Sequence, residues 1–156
     1  MKKIYTILLF CIATILSCKS ETVDYENHLK LENYIKSKTT LDLTSKSDYL
    51  VIILQNEDCI CTEPDMQLSQ EIVESKKYKS FKKILIVNRA DHKIFKKIGR
   101  NKDQKIVIII NGQNDLLKAG YIAMTDRIAV YKHGNITYYA DLHIKKPNLV
   151  KADLLE

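Results

Sequence analysis

Residues 49–65 read YLVIILQNEDCICTEPD. The first seven form a continuous apolar run rich in β-branched residues, closed by Gln55. Such a run suits a strand buried on both faces. The last four read as a helix start, with Thr62 as N-cap, Pro64 in the first turn and Asp65 closing a capping box. That helix is expected to run to about Lys77. Between strand and helix lie Cys59 and Cys61, one residue apart and ringed by Glu57, Asp58, Glu63 and Asp65.

Outward from this stretch the chain alternates. Upstream, Asp24 to Lys38 reads as a helix with Leu31, Tyr34 and Ile35 at helical spacing. Downstream, KILIVN (83–88) is a second apolar strand, and DHKIFKKIG (91–99) a short helix capped by Asp91 and closed by Gly99. KIVIIIN (105–111) is a third strand and NDLLKAG (114–120) another short helix. RIAVYK (127–132) and NITYYAD (135–141) flank His133-Gly134 and predict a hairpin, because glycine permits a left-handed turn residue. PNLVKADLLE (147–156) closes with a helix.

The order α-β-α-β-α-β-α-β-β-α implies right-handed crossovers and a parallel sheet with helices on both faces. The hairpin adds an antiparallel edge. The expected architecture is a mixed α/β sheet of about four or five strands.

The 156 residues suffice for one domain, with 46% apolar and 28% charged residues. The net charge of +6 is spread as scattered lysines. No basic stripe interleaved with aromatics marks a nucleic-acid groove. No phosphate loop, serine elbow or paired-carboxylate motif is present.

The N-terminus reads as a targeting segment. Lys2 and Lys3 precede a thirteen-residue apolar run, Ile4 to Leu16. That is short for a membrane span and matches a signal-peptide core. It ends Ile15-Leu16-Ser17-Cys18, which resembles a bacterial lipobox. The resemblance implies cleavage before Cys18 and acylation of its thiol, palmitate included. Residues 1–17 would be the signal peptide, 18–23 a lipidated tether and 24–156 the folded domain. The expected location is the bacterial cell envelope, on the outer membrane or the outer leaflet of the inner one. Cys11 leaves with the signal peptide, so the mature chain of 156 − 17 = 139 residues keeps two other thiols, Cys59 and Cys61. Beyond the inner membrane such a pair is ordinarily oxidised.

A buried strand, a cysteine motif and a helix start, followed by strand, helix, strand, helix and the hairpin RIAVYKHGNITYY, resemble the thioredoxin superfamily. The resemblance is to its peroxiredoxin-like branch and to the membrane-tethered thiol–disulfide oxidoreductases. It covers about Tyr49 to Asp141. It implies a thioredoxin-like fold and thiol–disulfide exchange with a protein partner, Cys59 attacking and Cys61 resolving, with no cofactor. Two departures stand out. One residue separates the cysteines where the family usually has two. The usual proline before the hairpin is replaced by Met124-Thr125-Asp126, which makes Thr125 and Asp126 candidate substrate-facing residues.

Three readings of the cysteine pair remain open on the residues themselves. As a redox pair, the strained small ring would be easily reduced, and the helix N-terminus would favour a thiolate. As a passive pair in a binding lipoprotein, the acidic ring would oppose that thiolate. As a Cu(I) clip for copper delivery, two thiolates could serve, yet no histidine lies in the loop from Ala119 to Asp126. His92 and His143 are candidate ligands only by default. His133 reads as a turn residue and His28 as a surface residue. No zinc pattern is found, and no metal is assigned.

Overall fold

The structure is a computed structural model describing residues 25–55, 63–98, 106–122, 125–142 and 144–156. Five strands form one sheet in the order β3-β2-β1-β4-β5. They are β1 (Tyr49–Leu54), β2 (Lys82–Val87), β3 (Ile106–Ile110), β4 (Arg127–Lys132) and β5 (Asn135–Asp141). β1, β2 and β3 are parallel, while β4 runs antiparallel to β1 and to β5. The mixed sheet with its terminal hairpin is the α/β architecture expected from the element order.

The two central apolar runs lie where their composition demands. Every residue of β1 is buried, and so is every residue of β2 after Lys82. Alternate side chains serve two cores. Leu50, Ile52 and Leu54 pack with α2 (Glu63–Glu74), α3 (Ile94–Ile98) and α5 (Pro147–Leu155). Tyr49, Val51 and Ile53 pack with α1 (Tyr25–Lys38) and with Leu116 of α4 (Asp115–Lys118). Truncating one such side chain to alanine costs roughly 2–5 kcal/mol.

Several expectations are corrected in detail. The helix after the cysteines stops at Glu74 and not near Lys77. Ser75 turns extended there, and its hydroxyl accepts the Lys77 N–H to begin a 3-10 turn, Lys76–Tyr78. Asp91 does not cap α3: its carboxylate takes both bonds from Arg89, at 2.8 and 2.6 Å. The buried His92 ring does so instead, its Nδ1 accepting the Ile94 N–H at 3.1 Å. The helix expected from Asn114 is one turn, Asp115–Lys118, preceded by a 3-10 turn, Gly112–Asn114. β3 is an edge strand, and its Ile108 and Ile110 stay 50% and 47% exposed. His28 is buried, its ring edge-on to Tyr139 at 4.7 Å.

The hairpin turns at His133-Gly134 as read, with both residues at positive φ. Gly134 is required there twice over. Its φ is +81°, and a Cβ would stand 2.5 Å from the Thr44 carbonyl oxygen.

Candidate functional site

The parallel strands β1, β2 and β3 all end on one side of the sheet. In open α/β sheets that side, past the carboxyl ends of the strands, is where ligands bind. Here each of these strands is followed by an amide: Gln55, Asn88 and Asn111. The three join in one network. Asn88 Nδ2 donates to the Gln55 carbonyl at 2.8 Å. Asn111 Nδ2 donates to Gln55 Oε1 at 3.0 Å. Asn111 Oδ1 accepts the Leu116 N–H at 2.7 Å, and the Asn111 N–H reaches the Val87 carbonyl. The Gln55 N–H donates to Asp126 Oδ1 at 2.7 Å. Gln55 is thus gripped from β2, β3 and the approach to β4, as the last residue described before the cysteines.

These amides were not singled out in the sequence. The signal was present: YLVIILQ, KILIVN and KIVIIIN each end an apolar run on a polar amide.

Cys59 and Cys61, with Thr62, lie outside the described residues, as do Cys18 and the rest of the N-terminal 24. So do Met124, Gly99 and His143. Of the candidate substrate-facing residues, Asp126 is 4% exposed and directed at Gln55. Its carbonyl also accepts the Leu142 N–H at 2.9 Å. Thr125 donates its hydroxyl to Asp141 Oδ2 at 2.6 Å. Asp126 therefore belongs to the frame around the end of β1, and Thr125 is tied to the end of β5.

Two of the four carboxylates around the cysteines open α2, where Glu63 and Asp65 meet the positive end of the helix dipole. Glu63 is paired with Lys97 of α3. That lysine offsets one of the charges that would oppose a thiolate near this helix start.

Beside this frame, on the α1 face, lies an aromatic cluster. The Arg127 guanidinium carbon stands 5.4 Å from the Tyr121 ring centre and 5.8 Å from that of Tyr139. Its Nε lies 3.4 Å from Asp141 Oδ2. Burial pushes the Tyr121 phenol up, opposed by the neighbouring Arg127. Burial likewise raises Tyr131, with the Glu32 carboxylate adding to the effect.

Among the described residues no three histidine, cysteine or acidic side chains gather as a metal site. Nor is any helix among them long and apolar enough to cross a membrane.

This topology is a thioredoxin-like α/β fold. A secreted Mycobacterium tuberculosis disulfide oxidoreductase, homologous to E. coli DsbE, shares the fold with a TM-score of 0.51. The likeness covers 73% of this chain and 86% of that one at 8% identity. MTB dsbF aligns with a TM-score of 0.48 and 4% identity over 70% of this chain and 80% of that one. A thiol:disulfide interchange protein from Bacteroides sp. aligns with a TM-score of 0.41 and 17% identity, over 71% and 75%. At these identities the likeness establishes the fold, and the first comparison carries it. No protein-family model and no curated protein matches the sequence.

Proposed function

We propose that this chain is a cell-envelope lipoprotein, tethered through acylated Cys18, that exchanges disulfides with protein partners through Cys59 and Cys61. The observation that carries the reading is the amide grip on Gln55. It fixes the end of β1 four residues before Cys59, while α2 begins two residues after Cys61. Both thiols thus fall in a seven-residue connection, 56–62, between a fixed strand end and a helix start. The α2 dipole would lower the pKa of a thiol held before it.

In the reducing direction the Cys59 thiolate attacks one sulfur of a partner disulfide. That S–S bond breaks as the mixed disulfide forms. The Cys61 thiolate then attacks the Cys59 sulfur and displaces the partner. Two electrons and two protons pass to the partner, which leaves as a dithiol, and Cys59–Cys61 becomes the disulfide. An external dithiol restores the reduced chain; in the opposite sense the same steps oxidise the partner.

The test is maleimide labelling before and after mild reduction, read by mass. Purified from an oxidising buffer, the chain should take up no label at Cys59 and Cys61 until reduced. Free thiols under those conditions would remove the redox reading. Separately, palmitate labelling of cells should mark the chain and not its Cys18→Ser variant; label kept by the variant would refute the anchor.

A further inference from the structure

Of the large apolar side chains left exposed among the described residues, Ile144 is the most exposed at 81%, and Leu149, five residues on, stands at 52%. They flank the start of α5, and Lys146 is exposed between them. The Leu149 N–H reaches the Lys146 carbonyl at 3.0 Å, and the Ile144 and Lys145 N–H groups reach the Asp141 carbonyl at 3.1 and 2.8 Å. Lys145 is drawn aside to Asp153 at 2.6 Å, with its ammonium over the Tyr138 ring. The outward groups are therefore two apolar side chains and one cation, on a backbone tied to the end of β5. Such a set suits the boundary of an anionic bilayer. Apolar groups enter the acyl region there, and a lysine head stays among the phosphates.

The place of this patch in the fold selects that occupant. α1 begins at Tyr25, and within its first turn His28 meets Tyr139 of β5, ring centres 4.7 Å apart. Tyr139 stands two residues before Asp141, about 7 Å along the strand. The start of α1 and the segment 144–149 thus flank the same end of one edge strand, α1 on the Tyr139 face and Lys145 on the Tyr138 face. On the lipoprotein reading six residues, 19–24, separate Cys18 from Tyr25. A chain of that length reaches at most about 25 Å, so the anchor keeps this end of β5 close to the bilayer. Resting on the lipoprotein reading above, we infer that Ile144 and Leu149 seat in the headgroup boundary of an anionic bilayer, with Lys146 on its phosphates. The opposite end of the sheet, with the His133-Gly134 turn, then points away from the membrane.

The chain has no tryptophan, so one placed at a chosen site reports alone. The acylated chain is inserted into vesicles of phosphatidylcholine and phosphatidylglycerol, with and without bromine on the acyl chains. Emission of Ile144→Trp is expected to fall about twofold on brominated lipid, as for a side chain seated at the acyl boundary. Lys132→Trp, at the opposite end of the sheet, is expected to keep its emission. Lys146→Glu in the Ile144→Trp chain is expected to remove most of the quenching, because the anionic surface then repels the patch. Equal emission of Ile144→Trp on both lipids overturns the inference. Quenching that survives Lys146→Glu also overturns it, since the preference of tryptophan itself for the interface then carries the contact. Palmitate labelling separates this result from the reading on which it rests. A chain without palmitate ends the anchor, and the same vesicles added to that chain then decide the patch: quenching of Ile144→Trp upholds it, and equal emission ends it.

Discussion

Asp126 accepts the Gln55 N–H at 2.7 Å, joining the approach to β4 to the end of β1 across 71 residues of sequence. The carboxylate is buried, so the bond is made out of water. A hydrogen bond to a charged group is worth more than a neutral one, and a buried donor left without it bears its full desolvation cost. Gln55 is the last residue described before the cysteines, so this bond also sets where that segment begins.

Asp126→Ala should therefore destabilise the fold by about 1.5–3 kcal/mol in urea denaturation. Asp126→Asn keeps an acceptor oxygen and removes the charge, so it should lose less. A negative charge near a thiol disfavours the thiolate. The pH at which Cys59 is alkylated should accordingly fall in Asp126→Asn. An unchanged alkylation profile would mean that the Asp126 charge does not reach the thiols.

Gly134→Ala should be among the most damaging changes outside the cores. Forcing a side chain into the left-handed region costs about 1–3 kcal/mol, before the 2.5 Å encounter with the Thr44 carbonyl is relieved. Equilibrium denaturation reads the loss. His133 also has positive φ, at 51°, and a glycine there should be neutral or stabilising.

Alkali should unfold the protein through its tyrosines. Burial holds Tyr34 at about 12 and raises Tyr121, Tyr131 and Tyr139 as well. Above the ordinary value of 10.0 the unfolded chain releases these protons while the folded chain keeps them, so stability falls as pH rises. Ultraviolet titration of phenolate should show these tyrosines silent near pH 10, then ionising together with loss of structure. Smooth titration of all nine tyrosines near that pH would contradict the buried cluster.

Acid should weaken the contact between α2 and α5. Lys151 lies 2.6 Å from Glu71 and, with its hydrogen bond first, holds that carboxyl below its ordinary 4.5. The stabilisation is full above pH 4.5 and is lost as pH falls through the lower folded value. Lys151→Met should flatten this part of the acid-stability curve, because the folded and unfolded carboxyls then titrate alike. A curve unchanged by the substitution would show the pair to be inert.

The strands were legible because long β-branched runs such as YLVIIL have few other ways to be buried. The helix order and hairpin followed from punctuation by Gly120, Gly134 and Pro147. Exposure of Ile108 and Ile110 was not legible, since an apolar strand does not reveal which neighbour it lacks. Capping at α3 went to His92 over Asp91 because tertiary burial, and not spacing, placed the imidazole against the Ile94 N–H. His28 was misread for the same reason: its partner Tyr139 is distant in sequence. Of the site, the cysteine pair was legible as a motif. The amide grip on Gln55 was not, because it depends on which strands become neighbours.

The most direct test is the equilibrium between Cys59, Cys61 and a glutathione buffer, read by thiol trapping and mass. The account predicts a two-electron transition in which both cysteines change state together, abolished by either Cys59→Ser or Cys61→Ser. A pair that stays wholly reduced or wholly oxidised across the full range of glutathione potentials, in a chain that is folded, would contradict it.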